Sequence, residues 1–202
     1  MAYVLGVTGT FGSGKTTVAT ILRREHGAAV IDADELAREA TRPGAEALEE
    51  IRRAFGDRFL DREGRLRRRE LGLHVFGDRE ATARLERIIH PRVRAEEERL
   101  LREWADRPLI VLDVPLLLEA GMGRMCDSVA VVVIGERERY GRLRARGFAE
   151  EEITRRLGMQ MPQERKRAIA DHVIENSGSI EETRHQVNQL MTHIKGVRST
   201  PQ

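Results

Sequence analysis

Cysteine is almost missing from this 202-residue chain. The single thiol, Cys126, excludes an intramolecular disulfide framework and a four-thiolate zinc site, and it fits a reducing compartment. Long apolar runs are missing too. No stretch approaches the roughly 20 residues needed to span a bilayer, and the start, MAYVLGVTG, has neither a basic leader nor a signal-type cleavage pattern. A cytoplasmic protein with no membrane partner is the expectation. Nor is there an excess of one charge: 35 basic residues against 33 acidic ones leave a net +2, which does not suggest a nucleic-acid partner. Lysine is scarce. Only Lys15, Lys166 and Lys195 are lysines, so nearly every cation is a guanidinium suited to bidentate contacts with phosphate or carboxylate. Solenoid-type repeats and low-complexity segments are absent as well. What is present is 40% hydrophobic residues, enough for one layered core with insertions.

The apolar segments are short and rich in valine. Tyr3–Thr8, Ala28–Asp32, Leu109–Leu112 and Val129–Ile134 read as strands, with Val173 and Ile174 as a short fifth. Continuous apolar runs of this kind suit a parallel sheet covered on both faces. Between Leu36 and Trp104 there are helical patterns and no convincing strand. One pattern uses Ala47, Leu48, Ile51 and Phe55, and another uses Leu85, Ile88 and Ile89 and stops at His90-Pro91. A helical insertion over 36–104 is expected, beside the ligand cleft, because loops leaving the carboxyl ends of parallel strands are where ligands bind. Glu136–Arg146 and Glu150–Leu157 read as polar helices joined at Gly147, a mobile flap over 136–158. A last helix over 180–194 ends at Gly196, with a frayed tail over 197–202.

One motif dominates. Gly9-Thr10-Phe11-Gly12-Ser13-Gly14-Lys15-Thr16 fits GxxxxGK[ST] between a strand and an amphipathic helix. Glycines let the backbone wrap phosphate oxygens at the positive end of the helix, Lys15 can reach the β and γ phosphates, and the Thr16 hydroxyl can ligate Mg2+. The guanine-reading NKxD and the transporter signature LSGGQ are both absent, so a phosphotransferase that encloses two substrates fits better than a GTPase or a transport ATPase. Of the two carboxylates in Asp32-Ala33-Asp34, Asp34 is the candidate to take or orient the acceptor's proton; the alternative is a helix cap. Asp113, at the end of IVLD, can hold a water of the Mg2+ shell, or else serve a turn. Arg142 and Arg146, four residues apart, share a helix face, either to neutralise the transferring phosphoryl group or as a solvated basic face. His90 reads as a structural cap or a satisfied core residue.

Taken together the motifs resemble the dephospho-coenzyme A kinase family. The resemblance is carried by VTGTFGSGKTTVA (7–19), VIDADELAREA (30–40), PGAEAL (43–48), FGDRFLDREGRLRRREL (55–71), LERIIHPRV (85–93), VLDVPLLLEAG (111–121), RLRAR (142–146) and LGMQMPQERKRAIADHVIENSGS (157–179). It implies a P-loop NTPase-type α/β fold, a five-stranded parallel sheet sandwiched by helices, in one domain over 1–202 with a helical CoA-binding insertion and a short lid. The activity it implies is transfer of the γ-phosphoryl of ATP, with Mg2+, to the ribose 3'-hydroxyl of dephospho-CoA. Phosphate binding then falls on Gly12, Ser13, Gly14, Lys15, Thr16 and Thr17, the general base on Asp34, and the lid cations on Arg142 and Arg146. Gln160, Asp171 and Asn176 occupy the C-terminal pattern, with Asn176 bordering the adenine. Two departures stand out. Thr10 and Phe11 replace the family's frequent glycine and isoleucine, and the frequent LDR becomes Leu66-Arg67-Arg68, which leaves Arg67 without a role. A nucleoside or nucleoside-monophosphate kinase, and a nucleotide-controlled binding module, are the competing readings. The expected assembly is a monomer or weak homo-oligomer.

Overall fold

The computed structural model of the chain describes residues 2–199. The first apolar run is β1 (Tyr3–Gly9), followed by a glycine-rich loop and α1 (Lys15–His26). Helix α1 buries Val18, Ala19, Ile21 and Leu22, the face its spacing predicts, and ends where Gly27 turns left-handed at φ 67°. Strand β2 (Ala29–Asp32) runs straight into α2 (Ala33–Ala40). Helices α3 (Glu46–Phe55), α4 (Arg68–Val75) and α5 (Arg79–Glu103) follow. The chain then returns through β3 (Leu109–Asp113), β4 (Ser128–Val133), α6 (Glu136–Ala145), α7 (Glu150–Gly158), α8 (Gln163–Ala168), β5 (His172–Glu175) and α9 (Ile180–Ser199).

The strands form one sheet in the order β2-β3-β1-β4-β5, with β1 paired in parallel to β3 and β4, and β4 to β5. Register brings the carboxyl ends together: Val7 lies opposite Asp113 on β3, and Gly9 opposite Val132 on β4. On one face Leu5, Val7, Leu109, Val111, Ala130 and Val132 pack with Val18, Ile21 and Leu22 of α1 and with Val187, Leu190, Met191 and Ile194 of α9. The alternate residues Ile110, Leu112, Val131 and Val133 are equally buried, as a sheet covered on both sides requires. Each such side chain stabilises the fold by about 1.5–3 kcal/mol relative to exposure.

Asp32–Glu103 forms a compact unit of its own, and the residues on either side of it in sequence form the other. The helical unit thus begins at Asp32 rather than at residue 36, because α2 starts one residue after β2 ends. Its core is Ala47, Ile51, Phe59, Leu71, Val75 and Ile88, drawn from α3, a 3-10 turn at Asp57–Phe59, α4 and α5. The GDRFLDREG break is a tight turn closed by a single antiparallel bridge between Leu60 and Leu66.

Two helix ends differ from expectation. Helix α5 runs through His90-Pro91 instead of stopping there, and His90 is exposed in mid-helix rather than capping or filling a core. Proline removes one backbone donor, while the Arg92 guanidinium donates to the Ile88 carbonyl at 2.8 Å and pairs with Glu50 at 2.8 Å and Glu46 at 3.1 Å. These bonds tether the kink-prone turn to α3. Helix α9 likewise continues past Gly196, which keeps an ordinary negative φ and costs only about 1 kcal/mol in a helix. Of the frayed tail expected over 197–202, residues 197–199 are helical and 200–202 lie outside the described residues.

Candidate active site

The loop after β1 is built around places where a side chain does not fit. Gly12 and Gly14 have φ of 78° and 92°, the left-handed region that glycine enters freely. A Cβ on Gly12 would meet Leu143 of α6 at 2.7 Å, and one on Gly14 would overlap the Asn176 amide. The loop is therefore clasped from outside. Asn176 is buried; its Nδ2 donates to the Ser13 carbonyl at 2.7 Å and its Oδ1 accepts from Thr183 Oγ1 at 2.8 Å. Gln160 Oε1 accepts from the Phe11 N–H at 2.7 Å. Inside the loop Ser13 N donates to the Thr10 carbonyl at 3.0 Å, a turn that brings Gly14 to the start of α1.

Helix α1 begins with no side-chain cap and no acidic residue in its first turn. Its amino end therefore keeps its positive dipole uncompensated by an acidic side chain, the arrangement that receives phosphate. Lys15 lies across the loop, with Nζ 3.5 Å from the Gly9 carbonyl. Thr16 is exposed, its carbonyl accepting from Thr20 Oγ1, and Thr17 N donates to the Gly14 carbonyl at 2.9 Å. The hydroxyls of Thr10 and Ser13 are buried and have no hydrogen-bond partner among the described residues. Asp113 is buried at the carboxyl end of β3, next to the strand that enters the loop.

Three of the expected site residues have definite places in the fold. The Asn176 amide donates to the Ser13 carbonyl and accepts from Thr183 beneath the loop, so it supports the cradle. Arg142 is half-buried, and its guanidinium donates to the carbonyls of Ser177 at 3.4 Å and Gly178 at 3.1 Å, while Arg146 is exposed as the cap of α6. The segment carrying them packs two apolar side chains inward. Leu143 and Ile153 are fully buried, and Gly147, at φ 83°, makes the corner between α6 and α7.

In the helical unit, Asp32 is the cap. Its Oδ1 accepts from Asp34 N at 2.9 Å and Glu35 N at 3.1 Å. That leaves the Asp34 side chain exposed on the first turn of α2, with no hydrogen bond among the described residues. Arg68 closes the other end of α2, donating to Thr41 Oγ1 at 2.6 Å and the Arg38 carbonyl at 3.0 Å, and burial beside Arg38 lowers its pKa. Arg67 is spent on the Leu60 carbonyl and Glu70.

Sequence reasoning placed Gln160 in the C-terminal pattern but missed what the segment 160–166 touches. Gln160 holds the loop, and Gln163 exchanges hydrogen bonds with both the N–H and the carbonyl of Ile134 at the end of β4. Lys166 is fully buried, donating to the Pro115 carbonyl at 3.0 Å and pairing with Glu119 at 2.8 Å. Pro115 also accepts from Thr8 Oγ1 at 3.0 Å, and Met161 N donates to Glu119 at 2.9 Å. Asp171, by contrast, binds Val129 N at the opposite end of β4, away from the loop.

A glycine-rich cradle between the central strand of a parallel sheet and an uncapped helix, with a buried carboxylate on the neighbouring strand, defines a P-loop nucleotide-binding protein. The sequence profile described as Dephospho-CoA kinase matches residues 3–182. The chain belongs to the dephospho-CoA kinase family. It is 44% identical over 191 residues to a dephospho-CoA kinase of Carboxydothermus hydrogenoformans, covering 93% of this chain and 92% of the relative. A crystal structure from Thermus thermophilus superposes with a TM-score of 0.77 at 38% identity, covering 96% of this chain and 98% of that one. A dephospho-CoA kinase from Campylobacter jejuni gives 0.70 at 28% identity, covering 97% and 99%.

Proposed function

We propose that the protein transfers the γ-phosphoryl group of ATP to the ribose 3'-hydroxyl of dephospho-CoA, giving coenzyme A and ADP. The observation that carries this reading is the family match across residues 3–182 together with the formed phosphate cradle at Gly12–Thr17.

The cradle's backbone donors and the dipole of α1 hold the ATP phosphates, and Lys15 moves from the Gly9 carbonyl to the β and γ oxygens. The residues fit a divalent cation: an exposed Thr16 hydroxyl and the Asp113 carboxylate would hold Mg2+, which when bound neutralises charge on the β and γ phosphates. Among the described residues no cluster of three or more acidic, histidine or cysteine groups forms a protein-only metal cage, in keeping with an ion that takes most of its ligands from water and nucleotide. Asp34 accepts the 3'-hydroxyl proton or orients the hydroxyl as its oxygen bonds to the γ-phosphorus and the bond to the β-phosphate oxygen breaks. Arg142 and Arg146 neutralise charge on the transferring group once Arg142 leaves the Ser177 and Gly178 carbonyls. The helical unit Asp32–Glu103 receives the acceptor, and the segment 136–158 covers the nucleotide. The protein acts in the cytoplasm as a monomer or weak homo-oligomer; no helix among the described residues is long and apolar enough to cross a membrane.

Purified protein with ATP and Mg2+ is to be offered dephospho-CoA, nucleosides and nucleoside monophosphates in parallel, with ADP release and product mass as readouts. Dephospho-CoA should gain one phosphoryl group at the 3' position. Strong preference for a nucleoside monophosphate would overturn the assignment.

A further inference from the structure

Phe11, in the phosphate-binding loop, is built into an aromatic and cationic stack with the α6–α7 hairpin. Its ring meets Phe148 edge to face, centroids 5.1 Å apart at 89°. The Arg156 guanidinium lies over both rings, 4.8 Å from the centroid of Phe11 and 5.2 Å from that of Phe148. Glu152, one turn earlier on α7, pairs with Arg156 at 2.7 Å. Next to the stack Leu143 fills the space that a side chain on Gly12 would need, and Gln160 accepts from the Phe11 N–H. The shoulder of the phosphate-binding loop is thus held through its ring, its backbone and its neighbouring glycine, each time by the hairpin or the turn that follows it.

We infer that Phe11, Phe148 and Arg156 form a latch that fixes the phosphate-binding loop to the α6–α7 hairpin and thereby sets affinity for the triphosphate. The inference rests on the reading of the loop as the ATP site. The three are positioning residues, since each acts through the loop backbone. The physical link is pre-organisation. Glycine-rich loops lose much conformational freedom on ordering, and apparent affinity falls with the fraction of molecules already in the binding-competent shape. A guanidinium over two rings, which are themselves in edge contact, contributes at both interfaces, and its loss lets the loop sample other shapes.

The test is calorimetric titration with a nonhydrolysable ATP analogue and Mg2+, without acceptor, so the readout is independent of which acceptor the enzyme uses. Arg156→Met and Phe11→Leu are each expected to weaken binding about three- to tenfold. The double variant should be no weaker than the weaker single one, because the two changes break the same stack. Phe148→Leu probes the stack from the hairpin side and should weaken binding in the same direction. Glu152→Gln removes the ion pair and leaves the stack, and should bind within about twofold of the parent. In turnover assays the KM for ATP should rise while kcat at saturating ATP and the KM for dephospho-CoA stay near parental values, a split that general destabilisation would not produce. Arg156 is at the surface and its replacement leaves the core intact, so a folded variant is available. Single variants that bind within twofold of the parent, a double variant whose loss is the product of the singles, or a Glu152→Gln loss equal to that of Arg156→Met would each overturn the latch.

Discussion

The protein contains two strand-to-helix junctions with functional residues, and they are built in opposite ways. Between β1 and α1 the chain inserts a glycine-rich loop, leaves the helix uncapped and secures the loop with Leu143, Gln160 and Asn176 from far along the sequence. Between β2 and α2 there is no loop. Asp32 ends the strand, caps the helix and occupies the N–H groups of Asp34 and Glu35 with its own carboxylate. The first junction leaves the positive end of its helix without a side-chain cap or an acidic neighbour. The second caps its helix and surrounds itself with negative charge from Asp32, Asp34 and Glu35, so what it offers outward is a carboxylate. These are the roles proposed above for the two junctions, phosphate binding at the first and a proton acceptor at the second.

The sharpest way to break this contrast is Asp34→Asn. The variant keeps the size of the side chain and the Asp32 cap and removes the carboxylate proposed to take the proton. Turnover with saturating substrates should fall about 10²- to 10⁴-fold, with little change in ATP affinity by titration. Asn176→Ala tests the other junction. It removes the support beneath Ser13 and leaves buried polar groups unpaired, so stability in urea unfolding should fall by about 1–3 kcal/mol and ATP affinity should weaken. If Asn176 instead read the adenine, selectivity among nucleotides would change with stability unaltered.

Glu97 sharpens the comparison from within the helical unit. It is buried in α5, and burial pushes its carboxyl up to about 7 from the ordinary 4.5. Between those values the folded form holds a proton that the unfolded chain has lost, so this group lowers stability progressively as pH rises from about 4.5 to about 7. Glu97→Gln should therefore match the parent at pH 4 and exceed it at pH 8, by about 1–3 kcal/mol in denaturant titrations. The smallest effect is expected for Asp32→Ala, which exposes the α2 donors at a cost of about 1 kcal/mol, measured as a lower unfolding midpoint.

The inner strands β1, β3 and β4 were legible in the sequence because strands buried on both faces write themselves as short apolar runs, the edge strands β2 and β5 left shorter signals around the buried Ile31 and Ile174, and the cradle was legible because GxxxxGK[ST] has few other uses. Long-range partners were not legible. Nothing local in QMPQERK announces that Gln160 meets Phe11 or that Lys166 lies under Pro115, since those contacts exist only after β1, β3 and β4 are aligned. The helix through Pro91 was misjudged for a related reason: proline argues for a stop, and the tether from Arg92 to Glu46 and Glu50 on another helix is invisible to a local pattern. Asn176 was assigned by analogy, and its bonds to Ser13 and Thr183 were likewise invisible to a local pattern.

The stretch from Gln160 to Lys166 touches the outlets of three neighbouring strands, through Phe11 beyond β1, Pro115 and Glu119 beyond β3, and Ile134 beyond β4. Seven consecutive residues thus act as a buckle across the top of the sheet. An insertion at this point would loosen the nucleotide cradle and the carboxylate strand in a single stroke, although the chain there contains none of the atoms that react.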